Sequence, residues 1–281
     1  MPSLPPEIGP LIDRAAESGG PAVLLTGAGI SAESGIPTFR GNEGYWTVGS
    51  RNYHPMELAT WEAFSAMPDD VWSWYLYRRA VCLAAQPNPA HAAVAELERR
   101  LGDRMVLVTQ NVDGLHLRAG NTPERTYQIH GNIGLMRCAA DCSRALSTIP
   151  DAVDRAWPKG RALGDAERAA LICAKCGGRS RPHVLWFDEY YDEAHFRFES
   201  SMRAAQSCGV LVVVGTAGQT NLPIQIGALV TRRGAPMIVV NAEPSPFTAF
   251  AETNPLGAFL EGTATEWIPP LLEALAERTQ R

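Results

Sequence analysis

No stretch of this 281-residue chain approaches the roughly twenty apolar residues of a membrane-spanning helix. The opening residues, Met1-Pro-Ser-Leu-Pro-Pro6, lack the basic start and apolar run of an export signal, so the chain reads as soluble, unexported and cytoplasmic. Positive charge is not in excess. The formal net charge is −5 and no long basic run occurs, which argues against direct nucleic-acid binding. There is no internal repeat and no low-complexity tract. Cysteine is sparse: six residues are too few for a disulfide framework at this length and fit a reducing compartment. The length suffices for a large core, as one domain with insertions or as two domains.

What is present begins with a nucleotide-binding signal that stops short. Ala22-Val-Leu-Leu25 is an apolar run suited to a buried parallel strand. It feeds Thr26-Gly-Ala-Gly-Ile-Ser-Ala-Glu-Ser-Gly-Ile-Pro-Thr-Phe-Arg-Gly41, where Gly27-x-Gly29-x-x-Ala32 satisfies the short dinucleotide pattern. Glycine lets the backbone approach a pyrophosphate, and main-chain N–H groups face the anion. A tight turn needing positive φ would give the same letters. The continuation is the informative part. A dehydrogenase would run a full helix and reach an acidic residue about twenty positions on. Here Gly35-Ile-Pro37 ends the helix after little more than a turn, and Phe39-Arg40-Gly41 follows as loop. The expectation is a nucleotide covered by a loop that carries an aromatic and a cation, not hydride-transfer architecture.

Along the chain, residues 7–19 predict an amphipathic helix through Ile8, Leu11, Ile12 and Ala15. Gly44-Tyr-Trp46 reads as loop, Pro55 to Phe64 as one helix, Val71 to about Ala85 as a second and Pro89 to Arg100 as a third. Met105–Val108 and Thr126–Ile129 read as strands, and the β-branched runs Val210–Val214 and Met237–Val240 as strands buried on both faces. A final helix is expected from Glu266 to about Arg278. Between them, Cys138 to about Arg181 is polar and reads as a small inserted module. The pattern is doubly wound α/β.

Four loops share the places where such a sheet collects ligands: Thr26–Gly41, Gln110-Asn-Val-Asp113, His130-Gly-Asn132 and Gly215–Pro223. His130, at a strand end beside a glycine, is the candidate general base, expected to titrate near neutrality. Asn111 and Asp113 offer an amide and a carboxylate at i and i+2, which extended chain points the same way; an Asx turn opening the next helix is the plainer alternative. The remaining histidines read as structural. Cys138-x-x-x-Cys142 and Cys173-x-x-Cys176 give four thiolates at zinc spacing, which leaves no open coordination position and makes the metal structural. The gap between the pairs should hold a helix or a disordered loop. Cys82 and Cys208 sit on apolar elements as core. Tyr75 and Arg78, three apart on a helix, share a face and could bind a carboxylate; an aromatic helix packed on the core with a solvated arginine is the alternative.

Together these motifs resemble the sirtuins, the NAD-dependent protein deacylases, over almost the whole chain. The resemblance rests on Gly27–Ser31 with Ser34–Gly41, Thr109-Gln-Asn-Val-Asp-Gly-Leu-His116, His130-Gly-Asn132, both cysteine pairs and Asn241. It implies a Rossmann-like doubly wound parallel sheet, plus a small domain formed by a zinc-binding module and a helical module. The implied division is 1–44, 89–135 and 182–281 for the large domain, 45–88 for the helical module and 136–181 for the zinc module. NAD, consumed as a co-substrate, and an acyl-lysine protein or peptide would meet in the cleft, and one Zn2+ would be structural. Gly27, Ala28, Gly29, Glu33 and Arg40 would hold the phosphates and nearby ribose, and Phe39 would cover the reactive ribose. Ile36, Gln110, Asn111, Val112 and Asp113 would form the nicotinamide side, with Asp113 on the carboxamide. Gly215, Thr216, Ala217, Asn241, Glu243 and Ala264 would line the adenosine half. The acyl oxygen would attack the anomeric carbon and expel nicotinamide. His130 would then assist the ribose hydroxyl, with Asn111 and Asp113 completing the catalytic group, and water would release lysine and O-acyl-ADP-ribose.

Within that family, Tyr75-x-x-Arg78, Thr38 and Gly44-Tyr-Trp46 resemble the class III members, which prefer succinyl, malonyl or glutaryl lysine; weaker acetyl removal is expected alongside. Leu185 and Phe187 fit the tunnel for the lysine stem. Three departures bear on this. Ala217 replaces a serine, at a cost of about 1 kcal/mol in NAD binding. Gln219-Thr-Asn-Leu-Pro223 differs from the usual substrate loop, and Asp188 stands where relatives carry glycine. The alternatives are an NAD hydrolase or mono-ADP-ribosyltransferase of the same fold, and a non-catalytic NAD or ADP-ribose sensor.

Overall fold

A computed structural model describes residues 3–37, 46–48 and 51–280. In chain order its strands are β1 (Ala22–Thr26), β2 (Trp46–Val48), β3 (Arg51–Tyr53), β4 (Met105–Thr109), β5 (Thr126–Gln128), β6 (Gly131–Cys138), β7 (Leu146–Thr148), β8 (Ser180–Val184), β9 (Val210–Val214), β10 (Met237–Asn241) and β11 (Gly257–Glu261). Six of them form a parallel sheet in the order β11-β10-β9-β1-β4-β5. Numbered along the chain, that is the 3-2-1-4-5-6 order of a doubly wound sheet, with its switch point between β1 and β9. The β-branched runs are buried on both faces, as their composition demands.

Alternate residues of each strand serve opposite faces. Leu24, Leu107, Val212 and Val240 pack with the helices Ile8–Ser18, Pro89–Leu101 and Ala264–Thr279. Val23, Leu25, Val213 and Val239 pack with Phe198–Ser207, Asn221–Arg233 and Pro246–Thr253. A separate core gathers Leu58, Phe64, Trp72, Trp74, Tyr75, Trp157 and Trp186. It joins the helix Pro68–Ala84 to an antiparallel sheet ordered β7-β6-β8. The seam between the sheet's C-terminal edge and this second core is where the predicted loops meet.

Several expectations need correction. Pro55 to Phe64 is two helices, Pro55–Leu58 and Trp61–Ala66, because Thr60 Oγ1 accepts from Ala63 N (3.0 Å) and Asp188 accepts from Trp61 N and Glu62 N (2.8 and 3.1 Å). The orphan amides of the second helix are thereby capped across the chain. Trp46 is not loop but begins β2, paired with Tyr53. The Gly215–Pro223 loop ends at Thr220, since Pro223 sits in the first turn of Asn221–Arg233, where its missing N–H costs nothing. The gap between the cysteine pairs holds both β7 and a helix, Asp165–Ala170. The edge strand β11 and the helices between Tyr191 and Thr253 carry weak patterns, and sequence reading did not isolate them, whereas the final helix was expected and runs Ala264–Thr279.

At the switch point two glycine turns are pressed together. Gly27 N donates to Val214 O (2.9 Å) and Gly29 N to Gly215 O (2.8 Å). A Cβ on Gly29 would stand 2.6 Å from Gly215 Cα, and one on Gly27 2.7 Å from Gly215 O. Gly215 itself has φ +61. These glycines are therefore required by the protein's own packing before any ligand is considered. Gly29→Ala is expected to lower stability by about 2–3 kcal/mol, because its obstacle is backbone and not a side chain that can turn aside. Urea denaturation checks this; an unchanged midpoint would mean that the turns separate freely.

Candidate active site

Because β1, β4, β5 and β9 are parallel neighbours, the loops after them fall on one edge. A chain of buried hydroxyls ties these ends. Thr26 Oγ1 donates to Thr109 Oγ1 (2.9 Å), Thr109 Oγ1 accepts from Asn111 N (3.1 Å), and His116 Nε2 lies 3.1 Å from Thr26 Oγ1. Ser31, in the short helix Gly29–Ala32, is the hub. Its hydroxyl donates to Asp113 Oδ2 (2.8 Å) and accepts from Asn111 Nδ2 (3.1 Å), with His91 Nε2 at 3.4 Å. Asn111 Nδ2 also donates to Gly27 O (3.0 Å), so the carbonyl oxygen is what this amide offers a ligand. Asp113 Oδ1 accepts from Leu115 N (2.8 Å), the Asx-turn contact, while its other oxygen belongs to the site. Burial raises the Asp113 carboxyl despite the hydrogen bonds from Leu115 and Ser31.

On the other side of the switch point, Gln110 Nε2 donates to Thr216 Oγ1 (2.9 Å) and Gln110 Oε1 accepts from Thr220 (3.2 Å). Asn241 Nδ2 donates to Thr216 O and Glu243 O (3.1 and 2.9 Å). The structure thus brings Gly27, Ala28, Gly29, Gln110, Asn111, Asp113, Gly215, Thr216 and Asn241 to one strand-end cluster. Ala217 follows in the same loop, half-buried. Ile36 and Val112 pack against the second core, so they stand at the seam. Glu33 is directed elsewhere. Its carboxylate accepts from Thr265 N (3.1 Å) and the Thr265 hydroxyl at the start of Ala264–Thr279. Partial burial opposes it, but these bonds hold the carboxyl below its ordinary value. Ala264 is buried at that helix start, and the exposed Glu243 offers the network its backbone carbonyl. Thr38, Phe39, Arg40, Gly44 and Tyr45 lie outside the described residues.

His130 follows β5, and its carbonyl accepts from Leu185 N (3.0 Å). Its Nε2 is 2.8 Å from the Tyr191 hydroxyl. Burial pushes the imidazole down to about 4, although a hydrogen bond to the Gln110 backbone works the other way. The expectation of near-neutral titration is therefore corrected: desolvation disfavours the cation and keeps the ring neutral through the physiological range, the protonation state a base requires.

Tyr75 is 1% exposed, and its oxygen accepts from Trp186 Nε1 (2.8 Å). Burial is the main influence on its phenol, which it pushes up; the Arg78 guanidinium is close enough to act in the opposite direction. Arg78 also lies over the Trp74 ring, 5.0 Å from its centroid. Leu185 is half-buried beside His130, whereas Phe187 is 52% exposed, with its N–H donating to Ala59 O (3.0 Å).

The Cys138, Cys142, Cys173 and Cys176 sulfurs lie within 4.8 Å of one another, with Cys138–Cys176 and Cys142–Cys173 both at 3.6 Å. Tetrahedral zinc with bonds of about 2.3 Å needs sulfur–sulfur edges of about 3.8 Å, so the four thiolates fit the ion and would close its coordination. Backbone N–H groups of Cys176 and Lys175 hold the Cys173 thiol down to about 6, while the neighbouring thiols push Cys142 up to about 12.

Sequence reading gave no role to Ser31, Thr220 or Tyr191. The motif around Ser31 was legible, but its place as the hub was not. Tyr191 is 61 residues from His130 and belongs to no pattern that predicts the contact.

The chain is similar to known proteins. The Sir2 family profile matches residues 27–221. The NAD-dependent protein deacylase of Leptospira interrogans serogroup Icterohaemorrhagiae serovar Lai is 38% identical over 253 residues, covering 90% of this chain and 92% of that protein. NAD-dependent protein deacylase 1 of Pseudomonas aeruginosa is 40% identical over 251 residues, covering 89% and 92%. The crystal structure of a Sir2 homolog–NAD complex aligns with a TM-score of 0.75 at 34% identity, covering 95% of this chain and 93% of that one.

Two expected outcomes follow from the geometry. Burial lowers His91 and His130 to about 4 and His116 and His183 to about 3, from 6.5. The folded form then holds fewer protons than the unfolded one below 6.5, so this contribution is present above that pH and is lost as pH falls toward 4 and then 3. The raised Asp113 opposes the trend only in part. The loss should reach roughly 1–2 kcal/mol per imidazole by about pH 5, read as a falling urea midpoint; a flat midpoint would contradict the buried neutral rings. Strong chelation should remove one zinc per chain and lower the melting temperature, and Cys173→Ser should do the same without chelator. A zinc-free chain of unaltered stability would rule out the structural role.

Proposed function

The chain belongs to the Sir2 family and is an NAD-dependent protein deacylase of that family; we propose that it prefers lysines carrying acidic acyl groups such as succinyl or malonyl, with weaker acetyl removal. The observation that carries this preference is the path Tyr75–Trp186–Leu185–His130. Trp186 Nε1 donates to the Tyr75 phenol (2.8 Å), and the neighbouring Leu185 N–H donates to the His130 carbonyl (3.0 Å). The helix face bearing Tyr75 and Arg78 is thus fastened to the segment that flanks the base. With the phenol held under Trp186, an acyl chain entering past Leu185 is read by Arg78, to which a terminal carboxylate gives a bidentate partner that a methyl group does not.

The same reading assigns the remaining roles. Gly27, Ala28 and Gly29, with Arg40, hold the phosphates. Gly215, Thr216, Ala217, Asn241, Glu243 and Ala264 line the adenosine half. Asn111 and Asp113, with Ile36 and Val112, receive the nicotinamide carboxamide, and Phe39 covers the ribose. Asp113 is already oriented by Ser31 and Leu115, so its carboxylate needs little reorganisation when the amide arrives. His130, neutral before substrate binds, takes the ribose hydroxyl proton. Acyl-lysine in a protein or peptide is the partner. Glu33, bonded to Thr265, steadies the helix that begins at Ala264.

The experiment is nicotinamide release with NAD and succinyl-, malonyl- and acetyl-lysine peptides, on wild type and Arg78→Met. Release should require peptide, and the substitution should lower succinyl kcat/KM by roughly tenfold or more while acetyl kcat/KM changes by less than about twofold. Equal losses on both substrates would refute the acidic-acyl preference. Peptide-independent loss of NAD would refute the deacylase reading itself.

A further inference from the structure

We propose that Tyr191 is a positioning residue for His130: its phenol donates to Nε2 in the resting enzyme, fixes the ring as the Nδ1–H tautomer, and gives up that place to the substrate hydroxyl. The inference rests on the reading of His130 as the general base.

The contact is direct, Nε2 to the Tyr191 hydroxyl at 2.8 Å, with the ring centroids 5.9 Å apart. The His130 ring is also hydrogen-bonded to the Gln110 backbone, in the sense that favours the cation and therefore to its carbonyl. With Nε2 facing Tyr191, that bond falls to Nδ1–H, and the bare nitrogen is the one that Tyr191 meets. Burial keeps the phenol protonated, its dissociation pushed up to about 12, and outweighs the neighbouring Thr220 hydroxyl, which acts in the opposite direction. A protonated phenol beside a bare nitrogen is a donor. The phenol and the Gln110 carbonyl are the groups that bond the ring, and among the described residues no charged side chain adds a resolved influence on it.

Tyr191 also closes a loop on the base. The segment from Leu185 to Tyr191 begins with Leu185 N donating to His130 O (3.0 Å) and ends with the phenol on Nε2. Its ring packs against Phe198, centroids 6.4 Å apart, in the core beneath the sheet, and so is anchored independently of the hydroxyl. When a substrate hydroxyl arrives, its O–H replaces the phenol's as donor to Nε2. The proton ends on Nε2, the hydroxyl oxygen keeps the electron pair for its new bond, and Tyr191 retains its own proton throughout.

Tyr191→Phe keeps the ring and removes the donor. In the free variant at pH 7, the 15N spectrum of the His130 imidazole should lose the hydrogen-bonded Nε2 signature seen in wild type. Removing a donor to the neutral form also favours protonation, so the acid limb of kcat/KM should move up by about half a unit to one unit. The limb of kcat, which reports the enzyme after substrate has displaced the phenol, should stay in place. A Nε2 resonance and an acid limb identical in the two proteins would overturn the proposal. The spectrum needs no turnover: a changed Nε2 resonance in a protein that releases no nicotinamide would still support the hold of Tyr191 on the ring, and would count against the deacylase reading alone.

Discussion

Two glycine turns, after β1 and after β9, touch backbone to backbone at the point where the sheet changes direction. Gly29 N reaches Gly215 O at 2.8 Å, and no Cβ fits on either side of the contact. The strand-end network is built outward from there. Gly27 O receives the Asn111 amide, Ser31 collects Asn111, Asp113 and His91, and Thr216 receives Gln110. Were the turns held further apart by a methyl group, these distances would open together, since they share the same backbone. A nucleotide cradle and a tight internal contact thus ask for glycine at the same positions, which is why the motif alone could not tell one from the other.

The second constraint is desolvation at the seam between the two cores. It holds four imidazoles neutral, raises the Asp113 carboxyl and keeps the Tyr75 and Tyr191 phenols protonated. At the strand-end cluster this leaves His130 as a neutral imidazole, the form that can accept one proton. The same burial makes the fold sensitive to acid, so stability and chemistry draw on one physical cause.

Much of this was legible in the chain. Apolar β-branched runs predicted the buried strands, and Gly35-Ile-Pro37 predicted the early end of the helix after the first glycine turn, which stops at Ala32. The cysteine spacing predicted a cluster whose sulfurs do converge. The errors have particular reasons. The helix from Pro55 was drawn too long because its interruption depends on Asp188, more than 120 residues away. The bond between Glu33 and Thr265 joins positions 232 residues apart, and no local pattern encodes it. β11 was passed over because an edge strand with half-buried residues carries little periodic signal.

By itself, then, the sequence determined the buried strands, the meeting of the strand-end motifs at one edge, and that four thiolates can close around a metal, because each of these depends on residue type and short spacing. The tertiary structure alone decided which group faces which: that Ser31 is the hub, that Tyr191 meets His130, and that the imidazole is neutral and not poised near its ordinary value. Those properties come from burial and from contacts between distant segments, and no local pattern encodes the water that folding removes.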